Sequence, residues 1–270
     1  MMIKELKDKN NDIINSLWIG KHLSLIELLT IQSFLSNGHR FKLYVYEDLL
    51  TPLPEGCELA DANEILPESA IFRYKNKSQY GQGKGSVSGF SDIFRYKMLF
   101  DKGGWWVDMD VTCLKYLDFD EDYVFRSHHN MPAVGNIMKC PKESPAMLKS
   151  FEEASARVDA NNTDWHLPIN ILNENIKYYN LSGFIKCYFS NEDKWDDVRE
   201  LILKNKVLPE NFYCIHWVNE NWRTKGLDKN DFKIESTLGS LLIQHRIIED
   251  NFNGFNRLKN NIRFRFLKGL

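Results

Sequence analysis

Cysteine is scarce in this 270-residue chain, and the five present do not pair by spacing. Cys57, Cys113, Cys140, Cys187 and Cys214 are odd in number and include no Cys-x-x-Cys. That argues against a disulfide framework or a cysteine-built zinc site, and for a reducing, cytoplasmic setting. Long apolar runs are missing as well: none approaches the ~18 residues of a membrane-spanning helix. The opening residues 1–12 are charged and lack the apolar stretch of a secretory signal. Nor does charge of one sign dominate. With 35 Lys and Arg against 37 Asp and Glu, the net charge is −2 and the pI about 6.4, without the basic surplus of a dedicated nucleic-acid binder. No Gly/Ser or Pro linker and no internal repeat divides the chain.

What is present is apolar bulk. A hydrophobic fraction of 43% excludes disorder for most of the length and suffices for one full core. We expect a single domain over residues 1–254. The 255–270 segment is set apart by five basic residues and no acidic one. There Phe255, Leu258, Ile262 and Phe266 fall at helical spacing, so the tail reads either as a terminal helix docked on the core or as a candidate peripheral contact with anionic lipid.

Residues 12–20 read as a buried strand, 24–37 as a helix stopped by Asn37-Gly38, and 41–46 as a second strand, the signature of a βαβ unit and a parallel sheet. Residues 51–68 read as connection, and 74–88, carrying Gly81, Gly83 and Gly85, as a loop. A helix is expected over 87–102, halted by Gly103-Gly104, with a short strand at 105–107. Further strands are expected at 123–126, 133–139, 185–189 and 212–217. Helices are expected at 144–156, 168–178 and 236–250, the first with Ser144 as cap and Pro145 in its first turn.

Asp108-Met109-Asp110 follows the 105–107 strand. On an extended chain both carboxylates would face one way, and two hard oxygen donors so aimed suit Mg²⁺ or Mn²⁺, which in turn bind phosphate oxygens. With 19 aspartates in the chain such a triplet is cheap. Asp118, Asp120 and Asp122 form two more, which read as a solvated acidic loop. The preceding helix supplies context. Asp92 and Arg95 share one helical face and read either as a surface ion pair or as a carboxylate and a guanidinium gripping the hydroxyls of a ligand.

The run Ser91-Asp92-Ile93-Phe94-Arg95-Tyr96, then Gly103-Gly104-Trp105-Trp106-Val107-Asp108-Met109-Asp110, resembles the sugar-binding region containing the DXD motif of the family 32 glycosyltransferases. That region is similar in turn to the clostridial glucosylating toxins. Leu17-Trp18-Ile19-Gly20-Lys21 resembles the first strand of the family, and the segment His216-Trp217-Val218-Asn219-Glu220-Asn221-Trp222 its C-terminal motif. The chain departs from the family at Leu167-Pro168, where many members have Gly-Pro before an acceptor-side helix.

The resemblance implies an α/β, GT-A type, Rossmann-like nucleotide-sugar-binding fold with a small additional helical region. It further implies a Mn²⁺ or Mg²⁺ cofactor, a UDP-sugar donor and a saccharide acceptor, lipid-linked in some members. The reaction it implies is transfer with retention, in the building of surface polysaccharide such as capsule or O-antigen. By resemblance Trp18 and Gly20 serve the nucleotide, while Asp92, Arg95 and Tyr96 hold the donor. Asp108 and Asp110 bind metal, with His216 as a candidate third ligand or a structural histidine. Asn219 and Glu220 complete the metal or diphosphate shell, Glu220 being counted with Asp92, Asp108 and Asp110 as catalytic, and the Trp222 N–H meets a phosphate.

Two rivals come from other classes. Asp108-Met109-Asp110-Val111-Thr112 also fits the motif of haloacid-dehalogenase-like Mg²⁺-dependent phosphatases, with Asp196-Asp197 as a later acidic pair. A non-catalytic glycan-binding module is the other.

Overall fold

The computed structural model describes residues 13–187 and 189–249; the tail expected over 255–270 lies outside them. The chain opens with strand β1 (Ile13–Trp18), helix α1 (Leu25–Ser36), β2 (Arg40–Val45) and β3 (Cys57–Asp61). Helix α2 (Ser88–Lys102), β4 (Gly104–Val107) and a short β5 (Val111–Cys113) follow. Next come β6 (Val124–Arg126), β7 (Val134–Cys140), α3 (Pro145–Arg157), α4 (Leu167–Tyr178) and β8 (Ile185–Lys186). Helix α5 (Trp195–Leu203), β9 (Cys214–His216), α6 (Asn219–Thr224) and α7 (Thr237–Gln244) close the described part. None of these helices is long and apolar enough to cross a membrane.

The α/β class expected from the sequence is what folds. Seven strands form one sheet in the order β3-β2-β1-β4-β7-β6-β8, while β5 and β9 pair separately. Strands β1 to β4 are mutually parallel; β7 runs antiparallel to β4 and β6. The chain therefore builds outward from β1 through β2 to β3, then returns to place β4 on the other side of β1. A sheet that reverses direction in this way leaves a crevice beyond the carboxyl ends of the two strands at the switch. Here those ends are Trp18 and Val107.

Helices α2, α3 and α4 contribute to one apolar cluster with Trp106, Phe125 and Met138 of the sheet. A second cluster holds Ile14, Phe41, Trp105 and Ile137 with Ile31 and Phe34 of α1, and a third joins α1 to α5, α6 and α7. Helix α1 starts where Ser24 and Glu27 satisfy each other's end of the chain in a capping box. Its buried polar residues reach the sheet. Thr30 Oγ1 donates to the Met109 carbonyl at 3.0 Å, and Ser33 Oγ accepts from the Cys113 N–H at 2.8 Å.

Some expected elements differ. β3 forms inside the stretch read as connection, because Cys57–Asp61 finds a full parallel partner in β2. The strand expected over 185–189 shortens to Ile185–Lys186, and the helix expected to Asp250 ends at Gln244. α5 and α6 were not expected, although Trp195, Val198, Leu201 and Ile202 of α5 do fall at helical spacing.

Gly103 (φ 68°) turns α2 directly into β4, and a Cβ there would lie 2.4 Å from the Lys142 amide nitrogen. Both the backbone angle and the space reject a side chain. Gly103→Ala is expected to lower unfolding free energy by more than about 1 kcal/mol, read as a fall in the urea midpoint at unchanged slope.

Candidate functional site

The crevice at the switch is a cavity of about 840 Å³, lined by Trp18, Asp92, Arg95, Asp108 and Asp110 among others. Asp108 and Asp110 do face it together, but not through strand alternation. Residues 108–110 leave β4 and turn before β5 begins, while Met109, 4% exposed, sinks into the core. The turn is held from four sides. Ser16 Oγ of β1 donates to the Val107 carbonyl at 2.7 Å, and the Asp108 N–H donates to the Asn136 carbonyl of β7 at 2.9 Å. Thr30 takes the Met109 carbonyl, and the Trp217 N–H takes that of Asp110 at 2.9 Å.

Asp108 Oδ1 accepts from Trp106 Nε1 at 2.8 Å, and Arg95 Nη2 lies 3.2 Å from the same oxygen. Arg95 Nη2 also pairs with Asp92 Oδ1 at 3.2 Å, and its guanidinium lies 5.4 Å from the centre of the Trp106 ring. Asp92 and Arg95 do form the i,i+3 ion pair, but it is buried at the cavity wall and not on the open surface, with Arg95 5% exposed. Gly135 makes this possible: a Cβ there would lie 2.8 Å from Arg95 Nη1. Burial pushes the Asp92 carboxyl up to about 6, with Arg95 opposing and Asp108 adding to the rise.

Asp110 uses one oxygen for the protein. His216 Nε2 lies 3.2 Å from Oδ2, and the Asn219 N–H donates to that atom at 2.6 Å. Among the described residues no side-chain hydrogen bond of Asp110 falls on Oδ1. Burial alone would raise this carboxyl, yet His216, Asn219 and Lys229 together hold it below the ordinary carboxylate value. The Asn219 amide reaches Asp110 because Val218 adopts a left-handed backbone (φ 56°, ψ 58°), a conformation that a β-branched residue keeps only when its surroundings enforce it.

Residues 24–129 match the family model of the glycosyltransferase sugar-binding region containing the DXD motif. That stretch, well under half of the chain, is similar to the glycosyltransferase sugar-binding region. Trp18 and the His216–Trp222 segment lie outside the matched residues yet line the same cavity in part. No curated protein matches the chain by sequence. Similar solved structures include the PaToxG glycosyltransferase, at 12% identity and TM-score 0.43, covering 96% of this chain and 87% of that one. An active-site mutant of LgtC gives 8% identity and TM-score 0.41, covering 76% and 86%. A cysteine-to-serine double mutant of a transferase gives 11% and 0.44, covering 63% and 86%.

Side-chain partners bear on several of the expected residue assignments. Tyr96 is fully buried and donates its hydroxyl to the Pro168 carbonyl at 3.0 Å, one helical step away from the face that Arg95 presents. Gly20 is not among the cavity residues; its positive φ of 130° lets the chain turn beside the Trp18 indole. Trp222 spends its indole N–H on the Trp217 carbonyl at 2.9 Å and belongs to the third apolar cluster. Glu220 accepts from the Gly83 N–H at 2.8 Å and from Arg223 Nε at 2.8 Å, so it ties down the 74–86 loop instead of joining the acidic turn. Asp196 and Asp197 open α5 and do not line the cavity, which removes the acidic pair a phosphatase reading needs.

His216, expected either as a third metal ligand or as a structural histidine, stands between two carboxylates. Its Nδ1 meets Asp193 Oδ1 at 2.7 Å while Nε2 meets Asp110. Burial disfavours charge on the ring, but the carboxylates on either side outweigh it and push the imidazole up to about 10. Among the described residues no three His, Cys, Asp or Glu side chains gather into a metal shell. A divalent ion fits the acidic turn, where Asp110 Oδ1 accepts no side-chain hydrogen bond among the described residues, Asp108 is 26% exposed and His216 Nε2 lies 3.2 Å from Asp110 Oδ2. A small hard cation commonly keeps only one or two protein carboxylates and takes its other oxygens from phosphate and water.

Four contributors escaped sequence reasoning. Glu27, fully buried, pairs with Lys229, whose ammonium lies 5.3 Å from the centre of the Trp18 ring. Asp193 binds Arg126 through both oxygens, at 2.6 and 2.8 Å, and Arg126 is 1% exposed. Only the Ser24-x-x-Glu27 spacing carried any signal. Because Asp193 alone faces two buried cations, Asp193→Asn is expected to destabilise the fold by about 3 kcal/mol. Urea unfolding measures it; a loss under about 1 kcal/mol would mean that Arg126 and His216 find other partners.

Proposed function

We propose that the chain is a metal-dependent, retaining GT-A type glycosyltransferase that moves a sugar from a UDP-sugar to a saccharide acceptor. The observation that supports this most directly is the pinned acidic turn at the β1/β4 switch, facing Trp18 across one cavity. In this reading Trp18 stacks on the base. Lys229, held over it by Glu27, places positive charge beside the diphosphate. Arg95 and Asp92 bind hydroxyls of the donor sugar. Asp110 through Oδ1, with Asp108, would hold Mn²⁺ or Mg²⁺, which when bound offsets the negative charge that gathers on the departing diphosphate.

Among the described residues the cavity wall offers no carboxylate free of partners to serve as a glycosyl nucleophile: Asp92 is paired with Arg95, and Glu220 with Arg223. We therefore favour same-face transfer. The bond from the anomeric carbon to the diphosphate oxygen breaks and the acceptor oxygen bonds to that carbon from the same side. The acceptor hydroxyl proton passes to an oxygen of the leaving phosphate. Asp92, close to the sugar in this arrangement, stabilises the positive charge on the anomeric carbon. A role in capsule or O-antigen assembly follows the family resemblance.

UDP is expected to raise the melting temperature of the chain only when Mn²⁺ or Mg²⁺ is present, and EDTA is expected to remove the gain. Asp110→Asn should abolish that stabilisation and lower UDP-sugar turnover roughly 10²–10³-fold. Stabilisation by UDP that ignores metal would overturn the metal-dependent reading, and hydrolysis of a generic phosphate monoester would favour a phosphatase.

A further inference from the structure

The cavity has a second end that the donor does not explain. Strand β7 lies beside β4 on the side opposite β1 and runs antiparallel to it, so its start at Val134 is level with the acidic turn. Helix α4 is fastened there: the Ala133 N–H donates to Asn173 Oδ1 at 2.9 Å, and Asn173 Nδ2 donates to the Ala133 carbonyl at 2.8 Å. Trp18 on the β1 side and the start of α4 on the β7 side thus flank Asp108.

At the α4 side stand Tyr80, Trp165 and His166, all lining the same cavity. Tyr80 is 57% exposed yet fixed in place. Its ring centre lies 4.8 Å from that of His166, and its hydroxyl lies 3.4 Å from His166 Nδ1. Its loop is bound on both flanks. Gln79 Nε2 donates to Asp164 Oδ1 at 2.8 Å and Gln79 Oε1 accepts from the Trp165 N–H at 3.1 Å. On the other flank Gly83 is held by Glu220, and the Lys84 carbonyl by Arg223 Nη1 at 2.9 Å. An exposed aromatic ring normally folds away or moves freely; this one is braced open toward the cavity.

We infer that Tyr80, with Trp165 and His166, is the acceptor subsite, and that it takes a saccharide by stacking a pyranose ring on Tyr80. A pyranose carries its hydroxyls around the rim and C–H groups on its faces, which match the negative face of an aromatic ring. The neighbouring Gln82, whose Nε2 donates to Asn221 Oδ1 at 3.2 Å, lines the same cavity. This inference rests on the glycosyltransferase reading above, since it assigns the second substrate of that reaction.

The test follows UDP release from UDP-glucose, UDP-galactose and UDP-N-acetylglucosamine with Mn²⁺, as lactose, maltose, chitobiose and methyl glycosides are added. At least one saccharide should accelerate release. Its half-maximal concentration should rise at least tenfold in Tyr80→Ala and less than threefold in Tyr80→Phe, which keeps the ring. Both variants should melt as the parent does, Tyr80 being largely exposed. Should Tyr80→Ala respond like the parent, or should no saccharide accelerate release although UDP-sugars bind with metal, the subsite is refuted while the donor assignment stands. Absence of UDP-sugar binding with metal would instead remove both.

Discussion

A three-residue turn that aims two carboxylates at one cavity must have its own backbone satisfied elsewhere, because buried peptide groups without partners are expensive. Here the carbonyls of Val107, Met109 and Asp110 and the amide of Asp108 are each taken by a different element: β1, α1, the segment after β9, and β7. The sheet order and the packing of α1 are both needed to bring those partners together. The polar interior of α1 makes sense on the same ground. Thr30 and Ser33 weaken the helix as a purely apolar surface but fasten it to the strands around the acidic turn. Rigidity at that turn is what a cation-binding pair requires, since ligand placement tolerates only small errors.

Charge around the turn is balanced by burial in pairs. Asp92 and Asp108 share Arg95; Asp110 and Asp193 share His216; Asp193 also binds Arg126, and Glu27 binds Lys229. Pairs of this kind contribute little net stability, because desolvation offsets most of the attraction, but breaking one is costly. Their effect here is positional. His216 and the Asn219 amide fix Asp110 by Oδ2, which leaves Oδ1 without a side-chain hydrogen bond among the described residues. Sequence shows a histidine ahead of the Asn219–Trp222 segment but not the hydrogen-bond partners that orient its ring. Asp193, which orients the His216 ring, comes from a loop before α5 and has no motif around it.

The first half of the fold was legible because its signals are local. Ser24 before an apolar helical run, Asn37-Gly38 after it, and Gly103-Gly104 between a helix and a strand each fix a boundary by backbone chemistry alone. β3 was not legible, since its partner β2 gives it strand structure that its own composition does not. Within the site, Asp92, Arg95, Asp108 and Asp110 were legible through helical periodicity and nearness to β4. Tyr96 was misplaced because one residue along a helix turns a side chain by about 100°, which decides between cavity and core; Trp222 does line the cavity, but its indole N–H is taken by the Trp217 carbonyl. The shared facing of Asp108 and Asp110 was anticipated for the wrong reason: the backbone turns at Met109 where an extended strand was expected.

Helix α6 gathers these threads. It is six residues long, and its first amide donates to Asp110 while its next three turn-mates hold the Tyr80 loop: Glu220 on Gly83, Asn221 on Gln82 at 3.2 Å, and Arg223 on Lys84. A displacement at the acidic turn is therefore passed to the loop through one short rigid element, with no need of a long pathway. The strained backbone of Val218, immediately before α6, sets the angle at which that element leaves β9. The two ends of the cavity are consequently built on a common support, and a glycosyl transfer between substrates held at those ends would draw its alignment from it.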